Sequence, residues 1–486
     1  MTGRSTTAAG AGVALGILLG APLRAAPEDP TAIPTFHCIG LYWSPPGGAP
    51  ERPVLVRYRR RGDSAWKEGL SLRYNPIPGT DEDLADYRGS LVHLEPGTPY
   101  EIELALSGTS TIARLVASTW SEKFPEGPVL RIPGGDAPLT VEESGTPQAW
   151  RVYDGRGSTI DVRHQHDSCI VSAVLCRNPR VKRLVVQRCR IHHPAADTNN
   201  WHEPRYPTHP GGPQGITLFN TAGNHVLRYN ECWSDLDHMF NDILGGGSNA
   251  SYVGSPGHDS DIYGNFVSHA WDDGLEVEGG NRNVRVWGNY ITQTLMSIGN
   301  AATSIGPLYI WRNVVGRCQA RPGEGGGNFL KMGFAGGEEW MTGHQYVFHN
   351  TLFRQDEWLP TGGLGGSRIV KHTVSRNNIL HVRSPRDFSA SANERNADND
   401  FDHDLFNGRI PSGQEPHGIR GEPVYEPGSG LDEASRTGRF RLAPGSPGAG
   451  AGLSLPNFSP PGGPPDVGAH PRGEPPMRFG PAAARP

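Results

Sequence analysis

The chain has 486 residues, of which 65 are Gly and 44 are Pro, and its formal net charge at pH 7 is −5. This length exceeds what one hydrophobic core usually supports, and the frequent Gly and Pro interrupt helical periodicity. Two or more domains built from strands and turns are therefore predicted. The small net charge and the lack of a long basic block exclude nucleic acid as an expected partner.

The first residues predict export. Residues 1–26 contain a lone Arg4, an apolar run over residues 8–23 and a small residue before Pro27, a pattern typical of a signal peptide. No other apolar stretch approaches the roughly 20 residues of a membrane span. We therefore expect a secreted or periplasmic, monomeric protein with no membrane span.

Residues 35–122 alternate apolar and polar side chains in short runs separated by turns, which predicts a small β-sandwich. Trp43 follows the first run, and the phrase Leu94-Glu95-Pro96-Gly97-Thr98-Pro99-Tyr100 precedes a late one. With these features the segment resembles a fibronectin type III domain. That resemblance implies a fold and no chemistry.

A short phrase recurs from residue 228 to residue 380: a β-type run, an Asn, any residue and then an apolar one. Its marker residues advance by 35, 24, 24, 37 and 27 positions, being Asn230, Asn265, Asn289, Asn313, Asn350 and Asn377. Periods in this range predict a solenoid, in which like side chains stack about 4.8 Å apart. Cys189 takes the marker position one repeat earlier.

Residues 126–470 resemble the right-handed parallel β-helix proteins of the pectate-lyase-like superfamily. The phrases Phe440-Arg441-Leu442-Ala443-Pro444-Gly445-Ser446-Pro447 and Pro465-Asp466-Val467-Gly468-Ala469 resemble the closing segment of such proteins. The predicted fold class is therefore all-β, with a β-helix after the sandwich and a disordered tail at residues 471–486. The superfamily includes lyases, hydrolases, epimerases and adhesins, so the resemblance alone does not fix an activity.

The densest chemical stretch follows Asn265. It places Asp272, Asp273, Glu276 and Glu278 within seven residues, and carboxylates this close repel one another unless a cation or a shared proton intervenes. Counting from each marker Asn aligns this stretch with the preceding repeat. The count predicts three stacked pairs: Asp237 with Asp272, His238 with Asp273, and Asn241 with Glu276.

One interpretation is a polysaccharide lyase that cleaves a uronate-containing glycan by β-elimination. Asp237, Asp272, Asp273 and Glu276 or Asn241 would hold Ca²⁺, which neutralises the substrate carboxylate. His238 or Lys331 would remove the proton. Lys331 lies in an otherwise apolar run, so burial is predicted to lower its pKa.

Two alternatives stay open. Asp272 or Asp273 could donate a proton to a glycosidic oxygen while Asp237, Asp242 or Glu276 activates water, as in glycoside hydrolases. Asp272-Asp273-Gly274 is similar to the Asp pair of the polygalacturonase-type hydrolases, although their other motifs are missing. The chain could also be a non-catalytic glycan-binding protein with a structural Ca²⁺.

Two insertions, residues 194–215 and 244–260, are predicted to flank this patch, because long loops on one side of a solenoid usually build the binding face. Trp201, Tyr206 and Trp271 are suited to stacking on sugar rings. Arg205 is suited to binding a substrate carboxylate.

Overall fold

The computed structural model describes most of the chain, as follows: residues 29–77, 84–136, 144–160, 172–176, 178–194, 213–246, 249–318, 327–332, 337–353, 361–365, 369–391, 398–459 and 462–483. The predicted signal peptide lies outside these residues. Strands dominate, and the two helices in the described ranges are short 3₁₀ turns, Glu338–Trp340 and Gly480–Ala482. In this part of the chain, neither is long or apolar enough to cross a membrane.

Residues 31–118, here called the N-terminal module, form seven antiparallel strands with a core of their own that includes Trp43 and Tyr100. Strand Val54–Arg60 shows why the segment folds this way, because buried Val54, Val56 and Tyr58 alternate with more exposed residues. The strands are, in their order across the sheet, Thr31–Pro34, Ile39–Trp43, Tyr87–Leu91, Lys67–Tyr74, Val54–Arg60, Pro99–Leu106 and Ile112–Ser118.

Most of the described residues between 172 and 420 form an all-β, solenoid-like arrangement of three ladders of parallel strands. One circuit through the ladders is here called a rung. The first ladder is a separate eight-stranded sheet. Its strands are Val185–Gln187, Val226–Arg228, Asp261–Tyr263, Val284–Trp287, Leu308–Trp311, Gln345–Phe348, Thr373–Arg376 and Asp400–Phe401.

The second and third ladders share two long strands, Phe266–Glu276 and Tyr290–Gly299, whose beginnings belong to the second ladder and whose ends belong to the third. The other strands of the second ladder are Arg190–His192, Glu231–Trp233, Val314–Val315, Thr351–Leu352, Ile379–Leu380, Leu405–Phe406 and Ile419–Arg420. Those of the third ladder are Ser172–Cys176, Gln214–Leu218, Leu244–Gly245, Asn328–Lys331, Gly362–Leu364 and Phe388–Ala390.

Two smaller sheets complete the described strands. Glu126–Arg131 pairs in parallel with Trp150–Asp154 ahead of the solenoid. Near the end of the chain, Gly430–Asp432, Thr437–Arg439 and Met477–Arg478 form an antiparallel sheet.

A ladder of buried Asn side chains fixes how neighbouring rungs stack. Asn289 Oδ1 accepts hydrogen bonds from the backbone N and from Nδ2 of Asn265, at 3.0 and 2.9 Å. Asn289 in turn donates to Asn313 Oδ1 from its own backbone N and Nδ2, and Nδ2 also donates to the carbonyl of Ile262. Cys189 occupies the position before Asn230, as predicted, and its backbone N donates to Asn230 Oδ1 at 3.1 Å.

The last predicted marker was wrong by one residue. Asn378, not Asn377, continues the ladder by donating to Asp404 Oδ1 and accepting from Asn350. Each residue before a ladder Asn has a left-handed backbone, and Asn377 occupies that place with a φ of 60°. Asn tolerates this conformation well, so two adjacent Asn residues fit the phrase equally and the sequence could not separate them.

The N-terminal module covers the outer face of the first ladder. Arg285 and Asp261 form a fully buried ion pair at this contact, with Nε and Oδ1 2.6 Å apart. From the module, Thr35 donates to the other oxygen of Asp261 at 2.5 Å, and Cys38 and Val92 pack against solenoid aromatic residues. Both charges belong to the solenoid, and the module covers the pair and adds hydrogen bonds to it through Thr35 and Ser90.

The described residues of 440–483, here called the C-terminal segment, pack on the outer face of the second ladder and, through Leu455 and Phe458, on the first. Phe440 and Phe479 pack against the stacked rings of Phe266 and Tyr290. The prediction of a disordered tail was therefore wrong for residues 471–483, because Phe479 is fully buried. Pro475, Pro476 and Arg478 give the tail a polar, Pro-rich composition, and composition alone did not indicate that Phe479 is buried.

The Asn ladder generates a stability prediction. Replacing Asn289 by Ala leaves the amide groups of Asn265 without their acceptor inside the core. We expect Asn289→Ala to lower the free energy of unfolding by roughly 3 kcal/mol or more, as measured by chemical denaturation. Asn178→Ala, at an exposed turn, is the control and should change it little; equal effects of the two variants would contradict a stabilising ladder.

Candidate active site

Five carboxyl groups and one ammonium group converge beside the third ladder. Asp242 precedes strand Leu244–Gly245, Asp272, Asp273 and Glu276 lie on Phe266–Glu276, and Glu278 follows two residues later. Their counter-charge comes from Lys331, at the end of strand Asn328–Lys331. The acidic residues form two overlapping groups with Asp273 in common, Asp242/Asp272/Asp273 and Asp273/Glu276/Glu278, and within each group one oxygen per residue lies within 4.8 Å of the others.

Strand register explains how Lys331 reaches these carboxylates. Glu276 pairs with Gly299 on the next rung, and Gly299 pairs with Lys331 on the rung after that. A Cβ at Gly299 would lie 2.1 Å from Asp273 Oδ2, so the carboxylate of Asp273 passes over the space that a side chain would fill. Because Gly299 has no side chain, Asp273 and Lys331 can form an ion pair although they lie two rungs apart.

Lys331 binds three of the carboxylates. Its Nζ lies 2.5 Å from Asp273 Oδ2, 3.0 Å from Glu278 Oε1 and 3.8 Å from Asp272 Oδ2. Burial disfavours the ammonium charge, but Asp273, Glu278 and Asp272 together raise the pKa of Lys331 well above its ordinary value. The predicted lowering of this pKa was wrong, because the sequence did not show that buried carboxylates surround the amine.

The single ammonium charge of Lys331 cannot neutralise five carboxylates, so the protonated forms of the acids are favoured. Burial, followed by the charge of Asp272, raises the pKa values of Asp242 and Asp273. Burial, followed by the charges of Asp242 and Glu278, raises the pKa of Glu276 well above its ordinary value. The cluster therefore carries protons at a pH where isolated carboxyl groups would be ionised.

Asp242 is tied into the same network by hydrogen bonds. Its Oδ2 accepts from Asn241 at 2.7 Å and from Gln214 at 3.1 Å, and its Oδ1 accepts from the backbone N of Asp273 at 3.2 Å. Through these bonds Asp242 fixes the position of the strand that carries the other acids.

Exposure separates the acids that can touch a large substrate from those that cannot. The side chains of Asp273 and Glu278 are 0% exposed, whereas that of Asp272 is 15% exposed. Glu276 is also partly exposed, while Asp242 is buried. The accessible pair is thus Asp272 and Glu276, one on each side of buried Asp273.

The predicted stacking of Asp237 on Asp272, His238 on Asp273 and Asn241 on Glu276 was wrong. Cys232 pairs with Val267 and Leu244 pairs with Leu275, so this rung uses 12 residues (244−232) where the next uses 8 (275−267). The result is that Asp242 lies opposite Asp273.

The extra residues include a turn at 235–238. Asp235 Oδ1 accepts from the backbone N atoms of Asp237 and His238, both at 3.0 Å. The side chain of His238 lies 3.4 Å from Asp235 and is 41% exposed. The turn thus places Asp237 and His238 outside both groups of acidic residues. Asn241 belongs to the site through its hydrogen bond to Asp242.

The predicted substrate-binding residues have different outcomes. Trp201, Arg205 and Tyr206 lie outside the described residues, so their assignment stays a prediction. Trp271 is described and is only 5% exposed, which leaves little ring surface for a sugar. The insertion at 244–260 does reach the cluster, because Asn249 donates to Glu278 Oε2 at 2.5 Å.

Sequence reasoning gave Glu278 no role and did not pair Asp242 with Asp273. Signals for both were present. Asp242-Ile243-Leu244 and Asp273-Gly274-Leu275 share the pattern of an Asp two residues before a core Leu, and Glu276 and Glu278 alternate around buried Val277.

No protein-family model matches the chain, and no curated protein matches it. Among solved structures, similarity is found to the catalytic unit of a thermostable GH87 alpha-1,3-glucanase from Streptomyces thermodiastaticus strain HF3-3, with 12% identity and a TM-score of 0.23. That comparison covers 78% of this chain and 66% of the glucanase chain, so the chain spans just under two thirds of that structure.

A second similar structure is the catalytic domain of a GH87 alpha-1,3-glucanase variant in complex with tetrasaccharides. It has 10% identity, a TM-score of 0.17, and coverage of 80% of this chain and 77% of that one. At these TM-scores the similarity identifies no activity for this protein.

The protonated acids predict a pH-dependent stability. Burial raises the pKa of Glu278 from 4.5 to about 7, despite the charge of Lys331 and its hydrogen bond. Because the folded-state pKa is the higher one, the folded state binds more protons between these values. The stabilisation is complete below about pH 4.5 and is lost as the pH rises through about 7, by roughly 3 kcal/mol.

Chemical denaturation at a series of pH values measures this loss. Glu278→Gln should flatten the decline between about pH 4.5 and 7, whereas Glu433→Gln, at an exposed turn, should leave it unchanged. An identical slope in Glu278→Gln and the parent protein would contradict the raised pKa.

Proposed function

We propose that this protein is a glycoside hydrolase, in which Glu276 protonates the leaving oxygen and Asp272 activates the attacking water. The observation that carries the proposal is the accessible pair itself: two partly exposed carboxyl groups flank buried Asp273 and lie in different electrostatic environments. Paired carboxyl groups in unlike environments are the usual arrangement for acid and base work on a glycosidic bond.

Glu276 suits the acid role. Burial and the charges of Asp242 and Glu278 raise its pKa well above the ordinary value, which favours the protonated form, and its partial exposure lets the proton reach a bound substrate. As the bond between the anomeric carbon and the glycosidic oxygen breaks, that oxygen takes the proton of Glu276.

Asp272 suits the base role. The ammonium of Lys331, 3.8 Å from Oδ2, stabilises negative charge on this side chain. The carboxylate takes a proton from the water whose oxygen bonds to the anomeric carbon. Lys331 acts here as a positioning residue, since it holds Asp272, Asp273 and Glu278 together.

Hydrolysis fits the site better than the lyase interpretation. Elimination needs an unprotonated base beside the substrate, and the raised pKa of Lys331 keeps that amine in its protonated form. The other predicted base, His238, lies in the Asp235 turn.

Calcium does not fit these acids well, although oxygen donors are the type it prefers. Asp273 and Glu278 already bind the ammonium of Lys331, whose charge would repel a cation held between them. Asp242, the remaining buried acid, is engaged by Asn241 and Gln214. We therefore assign no catalytic step to Ca²⁺.

The surface around the site suits a polymeric substrate. The described contacts of the N-terminal module and the C-terminal segment fall on the first and second ladders and on adjacent turns. None of these described contacts falls on the third ladder, which carries the site. We infer that the solenoid is a right-handed parallel β-helix, that the module is of fibronectin type III, and that the protein acts as a secreted monomer on a polysaccharide.

The test is a panel of neutral and uronate-containing polysaccharides, assayed both for new reducing ends and for the ultraviolet absorbance of unsaturated uronates. We expect reducing ends without that absorbance, unchanged by a chelator. Asp272→Asn and Glu276→Gln should each lower kcat by about 10²–10⁴-fold while the polysaccharide still binds.

Asp63→Asn, at an exposed turn of the module, is the matched control and should retain activity. Thermal denaturation of each variant separates lost catalysis from lost folding. Unsaturated products, or a chelator-sensitive activity that survives in Glu276→Gln, would contradict hydrolysis. Binding that leaves every polysaccharide intact would indicate the non-catalytic alternative.

A further inference from the structure

A second cluster of metal-ligating side chains lies at the C-terminal end of the solenoid, away from the carboxyl groups of the candidate active site. Asp402 and His403 follow the last strand of the first ladder, and His417 lies in the loop before Ile419–Arg420. One carboxylate oxygen and one ring nitrogen from each His lie within 4.8 Å of one another.

Asp402 is oriented toward both imidazole rings. Its Oδ1 accepts hydrogen bonds from the backbone N atoms of His403 and His417, at 2.9 and 2.8 Å. This leaves Oδ2 facing the rings, 2.8 Å from His417 Nδ1 and 3.6 Å from His403 Nε2. One oxygen thus fixes the carboxylate and the other is positioned as a ligand.

Hydrogen bonding accounts for only part of this arrangement. A His417–Asp402 bond explains one ring, but 3.6 Å is too long for a hydrogen bond from His403. The two rings nevertheless lie nearly parallel, at 13° with centroids 5.0 Å apart, and each ring brings a nitrogen within 4.8 Å of the same carboxylate oxygen.

We propose that Asp402, His403 and His417 bind one divalent transition-metal ion, with Zn²⁺ as the expected occupant. Two imidazole nitrogens and one carboxylate oxygen are the donors that Zn²⁺, Ni²⁺ and Cu²⁺ prefer, whereas Ca²⁺ and Mg²⁺ take oxygen ligands. The side chain of His417 is 67% exposed, which leaves room for water as a further ligand.

The ion would fasten the loop at 407–418 to the last rung of the first ladder. That loop already depends on Asp402, through the backbone hydrogen bond to His417. Because the ion binds the folded arrangement and not the unfolded chain, its binding stabilises this end of the solenoid. The site is independent of the proposed hydrolysis.

The experiment titrates Zn²⁺ into the metal-stripped full-length protein by calorimetry and follows the melting temperature. We expect one ion per chain from this site and a higher Tm with Zn²⁺. His403→Ala, His417→Ala and Asp402→Asn should each weaken binding by at least about tenfold and remove the rise in Tm. Asp402→Asn retains an oxygen for the two backbone hydrogen bonds, so it tests metal binding without removing the turn.

His238→Ala is the matched control, because His238 is also an exposed His beside an Asp. Cu²⁺ paramagnetic resonance adds a direct readout, in which coupling to two nitrogens should fall to one in either His→Ala variant. Wild-type binding and spectra in His403→Ala and His417→Ala, or equal losses in His238→Ala, would overturn the proposal.

Discussion

The spacing of stacked parallel strands, about 4.8 Å, is the constraint on which this structure depends. In the core it places each Asn amide within reach of the next, and the resulting ladder fixes the register of successive rungs. At the third ladder the same spacing brings Asp242 opposite Asp273, beside the other acids of that rung. Lys331 offsets part of this negative charge, because Gly299 on the intervening rung leaves space for its ion pair with Asp273.

Differences in burial then separate the acidic side chains of the site into two kinds. Asp273 and Glu278 are buried and hold the ammonium, whereas Asp272 and Glu276 keep part of their surface accessible. The chain uses its own ends to cover the other two ladders, with a buried ion pair at one contact and a group of aromatic rings at the other. The same fold thus positions the acids beside the third ladder, which the described contacts of the module and the C-terminal segment do not reach.

Features that recur in every rung were predictable from the sequence, and features set by the length of one turn were not. The Asn phrase predicted the solenoid, because the successive ladder positions from Asn230 to Asn378 use the same amide. Counting residues from the marker failed between Trp233 and Phe240, where the Asp235 turn adds residues without adding strand. The predicted direction of the Lys331 pKa shift failed for a related reason, since that shift depends on carboxylates that lie two rungs away.

The most direct test of this account is a double-mutant cycle of Lys331→Met and Asp273→Asn, measured as free energies of unfolding at neutral pH. If the ion pair between rungs holds the site together, Lys331→Met removes the counter-charge of Asp273, and Asp273→Asn leaves the ammonium with only Glu278 and Asp272. The double variant then recovers part of the loss. We predict a coupling free energy of about 2 kcal/mol or more. Additive losses, with a coupling close to zero, would contradict the central role of this ion pair.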